Sequence, residues 1–581
     1  MDKDAVAEVL KEIGVFLELK GENPFKTRAY VNGARILEGL TESLDTLIEE
    51  ERLSDIKGIG AALVEKITEL VETGELEYYK ELKASIPRGL IEMLDITGMG
   101  PKKVKAVHEK LGIKTVKQLE NACKKGKVAG LDGFGKKSEE KILEGIEFRR
   151  KHASHHHRHK ALLAAEPILA DLRSHPDVIR CGIAGSLRRS KEVNGDIDFL
   201  VSAKKSENII EAFTQREGTL SVLAAGNTKA SVLLEGGIQA DLRVVDDSEF
   251  ASALAYFTGS KEHNIVMRSR AISRGLRLNE YGLFKSKEET RDPKLRLNCK
   301  TEEDIFKALD LAYVPPELRE DRGEFEAAEQ NKIPKLIEWT DLKGSLHNHS
   351  DWSDGQDSLE EIAEQMSGIG CAYWAITDHS KASFQANGLD ASRIKKQIKA
   401  IAKVNNKLED DGNKFRLLTG IEVDVLKKGL DLDDDILAQL EVVVASMHVA
   451  GSDEAANTKR LIAAAQNPNV HMLGHLSGRL LLKRDPQKLN QQAVIDACAE
   501  TGTWIEFNAN PHRLDLDWRH WQYAKNKGVK CVINTDSHRH EHAGFLNLGT
   551  GVVRKGWLTK GDVINALPLG KLRKELAKKK G

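Results

Sequence analysis

The segment AGSLRRSKEVNGDIDFLV, residues 184–201, decides the fold of the first half of the chain. Asp196 and Asp198 lie two residues apart in a predicted strand, so their carboxylates project from the same face. Two carboxylates held together there would repel each other unless a divalent cation neutralises them. Asp241, in the later predicted strand IQADLRVV, is well placed to complete the set from a neighbouring strand. We therefore predict an α/β domain in which three carboxylates hold two divalent ions, Mg²⁺ or Mn²⁺.

Three carboxylates of this kind indicate nucleotidyl transfer. One ion lowers the pKa of an attacking 3′-hydroxyl, and the other stabilises the leaving pyrophosphate. Gly185 and Ser186 would let the backbone approach a triphosphate, and Arg189 could clamp its oxygens. A D-x-D string alone is also typical of an ordinary polar strand end, but the upstream Gly-Ser pair and the third aspartate favour a site.

Four segments of the first half, GSLRR, GDIDFLV, ADLRVV and YFTGSKEHNIVMR, resemble the signature segments of family X DNA polymerases, and the similarity covers roughly residues 1–318. The resemblance implies Asp196, Asp198 and Asp241 as catalytic metal ligands. It also implies a template contact from Arg268, and contacts to the incoming dNTP from Gly185, Ser186, Arg189, Gly195, Tyr256, Phe257, Gly259 and Asn264. The backbone at Tyr256–Gly259 would pack against the sugar and so select a deoxyribose. Without the family, YFTGS is only an aromatic pair before a turn.

An internal repeat runs through the first 150 residues, which are predicted to form short amphipathic helices. The strings DIKGIGAALVEKI, DITGMGPKKVKAV and LDGFGKKSEEKIL recur about every 35 to 40 residues. Each has glycines for a tight turn before a helix N-terminus, whose N–H groups can bind a phosphate. One copy would be an ordinary helix–turn–helix unit, but three copies predict helix-hairpin-helix binding to the DNA backbone. The expected contacts are Gly58, Gly60, Gly98, Gly100, Lys102, Gly133 and Gly135, with Lys103, Lys136 and Lys137 adding positive charge.

The resemblance to family X polymerases extends to the N-terminal helices. NPFKTRAYVNGARIL and GIGAALVEKI look like the family's deoxyribose-phosphate lyase domain. Lys66 matches its Schiff-base lysine, and Lys26 and Tyr30 match its 5′-phosphate pocket. Ala62 stands where DNA polymerase beta has a second lysine, which weakens the case because a Schiff-base lysine needs neighbouring cations. The alternative is that Lys66 is a solvated helix residue.

After residue 338, histidines and carboxylates accumulate at the predicted C-terminal ends of short strands that alternate with helices. That alternation is typical of an α/β fold with its active site at those strand ends. His347 and His349 form an H-x-H pair whose imidazoles lie on one side of a strand, as chelation requires. A lone buried histidine is usually a core residue, but nine such positions predict a multinuclear metal site. They are His347, His349, Asp354, His379, Glu422, His448, His475, Asp536 and His538.

Residues 338–570 resemble the PHP (polymerase and histidinol phosphatase) superfamily, a distorted barrel of seven β/α units. The resemblance implies three ions, Mn²⁺ or Zn²⁺, at a site that hydrolyses a phosphoester; spacing alone does not choose the metal. One ion would be held by His347, His349, Glu422 and Asp536, a second by Glu422, His448 and His475, and the third by Asp354, His379 and His538. Arg479 and Arg513 are candidate phosphate contacts or, equally, surface arginines.

The composition is that of a soluble multi-domain protein, with 581 residues, 30% of them charged, and a net charge of −1. There is no run of about 20 apolar residues. MDKDAVAEVL has no signal-peptide apolar region, and the six cysteines include no CxxC pair, so we expect a cytoplasmic, nucleoid-associated protein.

Shifts in composition along the chain predict six segments. The charged, proline-containing run VPPELREDRGEFEAAEQ indicates a linker, and His155–His159 is interpreted as a solvated turn rather than a metal site. The predicted segments are a lyase-like helical domain with the first hairpin (1–80), fingers with the second and third hairpins (81–150), a palm (151–247), a thumb (248–318), the linker (319–337) and the PHP phosphoesterase (338–575).

A family X polymerase and a PHP domain on one chain resemble the bacterial and archaeal members of family X. The combination predicts a monomeric repair enzyme that binds gapped or primer–template DNA and dNTPs and fills gaps in base excision repair. The PHP site would remove nucleotides 3′ to 5′ or clean blocked 3′ ends. The alternatives are a structural, weakly active PHP domain, a DNA-end-binding scaffold, and a small-molecule phosphatase of the histidinol phosphatase type.

Overall fold

The computed structural model describes residues 1, 3–38, 40, 43–152 and 154–579. The chain divides into two compact units, one of Met1–Ala153 with Leu482–Arg484 and the other of Ser154–Leu481 with Asp485–Gly581. No helix among the described residues is long and apolar enough to cross a lipid bilayer.

The regular structure of the first unit, among its described residues, is helical. Apolar side chains spaced three or four residues apart on its helices, such as Leu10, Ile13 and Ile67, meet in one core. The helices are α1 (Lys3–Lys20), α2 (Pro24–Glu38), α3 (Leu44–Glu49), α4 (Ala61–Thr73), α5 (Glu77–Ala84), α6 (Arg88–Leu94), α7 (Pro101–Leu111), α8 (Val116–Lys124) and α9 (Lys136–His152).

Glycine turns precede α4, α7 and α9, as the internal repeat predicts. Gly58, Gly98 and Gly133 have φ values of +101°, +92° and +81°, which other residues rarely adopt. Gly60 and Gly100 are the N-caps of α4 and α7, so the first N–H groups of both helices have no side-chain cap. Uncapped N–H groups of this kind are available to an anion.

A five-stranded sheet in the order β2-β4-β7-β6-β5 forms the centre of the palm. β4 and β7 run parallel, and their register sets Asp198 directly opposite Asp241. Ile197 and Phe199 point into the core, so the alternation of a strand puts Asp196 and Asp198 on the other face. The elements are β1 (His156–His157), α10 (Arg158–Ser174), β2 (Val178–Ile183), α11 (Gly185–Arg188), β3 (Val193–Asn194), β4 (Asp196–Ala203), α12 (Glu207–Thr214), β5 (Thr219–Ala225), β6 (Lys229–Leu234) and β7 (Gln239–Val245).

The thumb follows the palm and extends further than the sequence predicts. The segment 319–337, expected to be a linker, packs into the thumb core through Phe325, Ala328 and Leu336. Two of its charged residues, Arg319 and Glu324, are buried with partners, and Glu324 Oε1 lies 2.9 Å from His263 Nδ1. This corrects the linker prediction, which rested on charge content alone. The elements are α13 (Phe250–Thr258), α14 (Lys261–Ser273), β8 (Arg277–Asn279), β9 (Gly282–Phe284), α15 (Glu302–Ala308) and α16 (Glu324–Glu329).

Seven parallel strands form the barrel of the C-terminal part, in the order β10-β11-β12-β14-β15-β16-β17. A bridge between Asn348 and Ser537 joins the segments that follow β10 and β17 and so nearly closes the barrel. The predicted fold class is confirmed. The elements are β10 (Gly344–Ser345), α17 (Leu359–Gly368), β11 (Tyr373–Ile376), α18 (Ala391–Asp410), β12 (Arg416–Leu426), β13 (Gly429–Leu430), α19 (Asp434–Leu437), β14 (Val442–Ser446), α20 (Glu454–Gln466), β15 (Met472–Leu473), α21 (Gln491–Thr501), β16 (Trp504–Asn508), α22 (Trp518–Asn526), β17 (Cys531–Asn534), α23 (Phe545–Val553) and α24 (Leu569–Lys579).

The last helix, α24, covers the N-terminal end of the barrel. Leu572 and Leu576 share a core with Tyr373 and Val442, which are the first residues of β11 and β14. The opposite end, where the strands finish, therefore remains for the functional side chains.

The histidine run at the start of the palm is also ordered. His156 and His157 form β1, and the ring of His157 lies 4.6 Å from that of His512 in the barrel. Burial, followed by the charge of His512, lowers the pKa of His157 to about 4. The expectation of a solvated turn is therefore wrong for the described part of this run.

Candidate metal centres and substrate contacts

The three palm aspartates predicted to bind metal lie together. Ligand atoms of Asp196, Asp198 and Asp241 are all within 4.8 Å of one another. Burial, followed by the carboxylates of the other two, raises the pKa of Asp198 to about 7. Burial and Asp241 also raise the pKa of Asp196. Each shift is the cost of gathering negative charge, so the cluster fits divalent cations that would remove that cost.

Gly185 is required by the crowding around these carboxylates. It has a φ of +63°, and a Cβ built on it would lie 1.9 Å from Asp198 Oδ2. The next residue, Ser186, accepts a hydrogen bond from Asn194 Nδ2 at 2.8 Å. Gly195 is half-buried immediately before β4. The predicted triphosphate contacts therefore border the aspartate cluster.

Arg189 lies beside the cluster, but other groups of the protein already hold its guanidinium. It donates to the Thr258 carbonyl and, at 3.1 Å, to Glu320 Oε1. Lys555 of the barrel donates to the same Glu320 oxygen at 2.7 Å and to the Arg189 carbonyl at 2.9 Å. Lys555 of the barrel thus contacts Arg189, the predicted triphosphate contact. No pattern in the sequence predicts this contact.

Three of the other predicted dNTP and template residues line one small recess of the thumb. Tyr256, Asn264 and Arg268 border a cavity of about 20 Å³. Asn264 Nδ2 donates to the Tyr256 carbonyl at 2.7 Å, and the Tyr256 and Phe257 rings lie 5.2 Å apart. Gly259 follows with a φ of +71°.

The predicted lyase residues gather around an aromatic ring that the sequence reasoning missed. Lys66 Nζ and Lys26 Nζ lie 5.1 and 5.6 Å from the centre of the Tyr78 ring. Tyr30 stacks on the same ring at 6.2 Å. Burial and Tyr78 raise the pKa of Tyr30. Tyr78 falls outside the family segments that matched, so only the structure relates it to Lys66.

Glu422 lies at the centre of a buried cluster at the C-terminal ends of the barrel strands, and its side chain is 1% exposed. Four imidazole nitrogens surround its carboxylate. The nearest nitrogen–oxygen distances are 2.7 Å for His379, 3.1 Å for His475, 3.2 Å for His448 and 3.4 Å for His347.

Several buried atoms of this cluster make no hydrogen bond to any described residue. They are His347 Nε2, His349 Nδ1, His379 Nδ1 and both carboxylate oxygens of Glu422. The approach of His379 to Glu422 is short but lacks hydrogen-bond geometry. Buried polar atoms are almost always partnered, and imidazole and carboxylate are the donors that Zn²⁺ and Mn²⁺ use. The residues present therefore fit divalent metal ions.

All nine predicted ligands lie in this cluster, although they group differently from the prediction. His349 lies with Asp354, His379 and His538 in one set of close ligand atoms as well as with His347 and Glu422 in another. His379 is likewise shared, because it also lies with Glu422 and His448. Asp536 Oδ1 is 3.2 Å from His349 Nε2. The assignment of ligands to individual ions stays a prediction.

Two carboxylates that the sequence reasoning missed orient the histidines. Glu506 Oε1 lies 2.7 Å from His347 Nδ1, and Asp424 Oδ1 lies 2.7 Å from His448 Nδ1. Burial alone would lower the pKa of His448, but Glu422 and Asp424 raise it to about 10. The signal for both was an acidic residue in an otherwise apolar strand, TWIEFNA or GIEVDV. Such partners fix which ring nitrogen faces a metal.

The two arginines considered as phosphate contacts differ from each other. Arg479 is buried and donates to the carbonyls of Arg513 and Leu514 and to Asp517. Arg513 Nε lies 3.5 Å from Asp536 Oδ2, at the edge of the metal cluster. Arg513 therefore remains a candidate phosphate contact, whereas Arg479 has a structural role.

Family models match four parts of the chain. These are the helix-hairpin-helix domain at residues 1–76, the SAM-like helix-hairpin-helix tandem at 90–147, the DNA polymerase beta thumb at 253–320 and the PHP domain at 345–510.

A relative covers nearly the whole chain. The DNA polymerase/3′-5′ exonuclease PolX of Bacillus subtilis (strain 168) is 38% identical over 573 residues, which are 98% of each protein. This chain belongs to the PolX family. The predicted resemblance to family X polymerases with a PHP domain is thereby confirmed.

Two further relatives match smaller shares of the chain. DNA polymerase lambda of Rattus norvegicus is 24% identical over 289 residues, 46% of this chain and 48% of that protein. A probable phosphatase of Thermoanaerobacter sp. (strain X514) is 30% identical over 176 residues, 28% of this chain and 69% of that protein.

Proposed function

We propose that this protein is a DNA polymerase that adds dNTPs to primer 3′ ends in short gaps, and that its PHP barrel removes nucleotides from 3′ ends. The gathered carboxylates of Asp196, Asp198 and Asp241 carry the polymerase assignment. The B. subtilis relative, which is named for both activities and matches over 98% of the chain, supports joining them.

Each of the palm residues would have a separate role in nucleotidyl transfer. Divalent ions on the three aspartates would activate the primer 3′-hydroxyl and neutralise the departing pyrophosphate. Gly185 leaves room beside Asp198, and Ser186, held by Asn194, would donate to a phosphate oxygen. Arg189 would turn one guanidinium face to the triphosphate while Glu320 restrains its direction.

In the barrel, the nine ligands form a site for phosphodiester hydrolysis. Metal ions held there would supply an activated water. Glu422 bridges between the histidines, and Arg513 would steady a phosphate oxygen next to Asp536. We propose Mg²⁺ or Mn²⁺ for the all-oxygen palm site. For the imidazole-rich barrel we propose three ions, Mn²⁺ or Zn²⁺.

The helical unit would hold DNA through its glycine turns. The uncapped starts of α4 and α7, with Lys102 beside the second, favour backbone phosphates over bases. Binding of this kind suits gapped DNA of any sequence. We also propose that the protein acts as a monomer at the nucleoid; light scattering of the free protein would test the first point.

The deciding experiment uses a duplex with a one-nucleotide gap, in Mg²⁺ and separately in Mn²⁺. Asp196→Ala should abolish dNTP incorporation and leave 3′ digestion intact, whereas His347→Ala should do the reverse. If Asp196→Ala incorporates dNTPs at the wild-type rate, the polymerase assignment fails and a DNA-end-binding scaffold takes its place. If His347→Ala digests DNA as fast as wild type, the barrel is a structural brace.

A small-molecule phosphatase is the second candidate for the barrel, and the similarity to a probable phosphatase favours it. Competition between a small phosphomonoester and a DNA 3′ end would separate the two. Strong inhibition of ester turnover by micromolar DNA supports 3′-end processing, and no inhibition supports the phosphatase.

Lyase activity is a third property to test. Lys66 has an aromatic neighbour, Tyr78, and shares it with Lys26 rather than with a second lysine at position 62. Borohydride trapping on a 5′-deoxyribose-phosphate end should give a covalent adduct that Lys66→Ala removes. An adduct that survives in Lys66→Ala would exclude this lysine.

A further inference from the structure

We infer that the mouth of the barrel has a binding site for the last unpaired nucleotides of a DNA strand, with Phe384 as the residue that stacks on a base. The inference rests on the proposed 3′-end processing by the barrel and names the groups that would recognise its substrate. An exposed apolar pair and a basic cleft beside the metal ligands carry it.

The exposed pair consists of Phe384 and Val449. Their side chains are 76% and 78% exposed, two of the three largest values among the described large apolar residues. Val449 directly follows the ligand position His448, so their Cα atoms are about 3.8 Å apart. Exposing apolar side chains to water does not stabilise the protein, so such residues often mark a binding site. A nucleobase has an apolar face that could cover them.

Phe384 lies on a loop that begins at the ligand position His379 and folds back to it at Leu389. The Leu389 N–H donates to the His379 carbonyl at 2.7 Å and so closes the loop. Ser383, next to Phe384, donates to Asp424 Oδ2 at 2.7 Å. Because Asp424 also orients His448, the loop is fixed to the shell of the metal cluster, and its aromatic ring is presented from a rigid base.

A cleft of about 740 Å³ borders the end of β12, the strand that contains Asp424. It lies between the β12–β13 hairpin and the start of α20, two segments that begin within three residues of Asp424 and His448 respectively. Lys427, Lys428 and Lys459 line it and are exposed. The other charged groups lining the cleft are Arg460, which donates to the backbone carbonyls of Val425, Leu426 and Val449, and Asp453, which caps α20.

The chemistry of the cleft matches a DNA backbone. Four cationic side chains against one carboxylate give it positive charge in a protein whose net charge is −1. In this arrangement the cleft would bind backbone phosphates and Phe384 would stack on the terminal base. The last phosphodiester would then lie between the cleft and Phe384, near Glu422. A small phosphomonoester spans only the metal cluster and would touch neither feature.

The test measures digestion of a 5′-labelled single-stranded oligonucleotide by the full-length protein loaded with Mn²⁺. Phe384→Ala should raise KM by about tenfold or more, and Phe384→Trp should restore it. Trp339→Ala is the matched control, because Trp339 is 55% exposed and precedes the first barrel strand.

Two further measurements separate base stacking and phosphate contact from a structural effect. With abasic 3′-terminal nucleotides, wild type and Phe384→Ala should have equal KM values. The triple change Lys427→Ala, Lys428→Ala, Lys459→Ala should lower the slope of log KM against log salt concentration by about 2, from roughly 0.7 for each phosphate contact. Lys571→Ala, Lys574→Ala on α24, at the other end of the barrel, should leave the slope unchanged.

The inference and the proposed function fail in different ways. If wild type does not digest DNA, the proposed function falls. If wild type digests DNA and Phe384→Ala does so with an unchanged KM, or retains its defect on abasic ends, the stacking site is wrong while the exonuclease stands. An unchanged salt slope in the triple lysine variant would show that the cleft does not bind the DNA phosphates.

Discussion

The two candidate metal centres of this protein would both hold cations beside a phosphodiester, but they use different kinds of ligand. The palm site has three half-buried carboxylates, and burial together with the neighbouring carboxylates raises the pKa of Asp196 and Asp198. The barrel site has nine candidate ligands, six of them histidines, and the carboxylates of Glu506 and Asp424 contact the imidazoles of His347 and His448. The palm therefore has ligands under mutual repulsion, whereas the barrel has ligands fixed before any cation arrives.

The difference predicts how each site obtains its metal. A cluster of repelling carboxylates gains cations together with the triphosphate that brings them, since Mg²⁺ prefers to share its ligands with phosphate oxygens. A cluster of oriented imidazoles binds transition metals without substrate. Purified protein should therefore retain metal in the barrel and lose it from the palm on dialysis.

The largest effects should come from removing the central carboxylate of either site. Asp198→Ala should reduce dNTP incorporation at least about 1,000-fold, since metal ions supply several kcal/mol of transition-state stabilisation. Glu422→Ala should reduce 3′ digestion to a similar extent, and elemental analysis should find at least two fewer ions. Each variant should keep the other activity. Loss of both activities in one variant would mean that the centres are not independent.

The pH dependence of metal binding should differ between the centres. Burial and the neighbouring aspartates raise the pKa of Asp198 to about 7, so one proton competes with the cation below pH 7. Burial alone would lower the pKa of His538, but Asp354 and Asp536 raise it to about 9. The pKa of His448 is about 10. Both histidines are therefore protonated from pH 6 to pH 8 before metal binds.

Because binding displaces these protons, affinity rises with pH until each pKa is passed. At the barrel, metal affinity should rise at least about 100-fold per pH unit between pH 6 and 8, because at least the protons of His448 and His538 are displaced. At the palm it should rise about tenfold between pH 6 and 7 and level off above pH 7. Titration calorimetry in two buffers counts the released protons. Equal proton release at both centres at pH 8 would contradict the comparison.

A smaller effect should follow from changing the shell of the barrel site. Glu506→Gln keeps the size of the side chain but removes the charge beside His347 Nδ1. Metal affinity should fall about 10- to 100-fold. Glu500→Gln, on the exposed face of α21, is the matched control and should have no effect. If the two variants behave alike, the orientation of His347 does not depend on Glu506.

The sequence was sufficient to predict that the candidate ligands lie together and insufficient to predict the residues that surround them. The spacing of Asp196 with Asp198, and of His347 with His349, follows the two-residue period of a strand, which local sequence contains. The link from Glu506 to His347 joins β16 to the end of β10 across the barrel, and no local pattern encodes it.

The linker prediction failed for a related reason. Arg319 and Glu302 are both buried, and Arg319 Nη1 donates to Glu302 Oε1 at 2.6 Å. Charge content indicates exposure only when the charges are unpaired, and pairing is a property of the folded chain. The same applies to Lys555, whose partners lie more than 200 residues away.

The smallest expected effect concerns Lys555, which belongs to the barrel but contacts the palm. Lys555→Met removes the cation that donates to Glu320 and to the Arg189 carbonyl. Arg189 would lose its fixed direction, so KM for dNTP should rise about threefold to tenfold, equivalent to the net contribution of about one ordinary hydrogen bond. The rate of 3′ digestion should not change, because no metal ligand of the barrel is touched.

A pH profile distinguishes this role from general destabilisation. Burial lowers the pKa of Lys555 to about 8, although Glu320 opposes the shift. Wild type should therefore lose the lysine charge above pH 8, and the KM difference from Lys555→Met should shrink between pH 7 and pH 9. Lys525→Met removes another lysine ion pair, to Asp562 at 2.9 Å, within the barrel alone and should leave KM for dNTP unchanged. A KM difference that stays constant to pH 9, or an equal effect of Lys525→Met, would show that the two centres are only neighbours and that the barrel does not position Arg189.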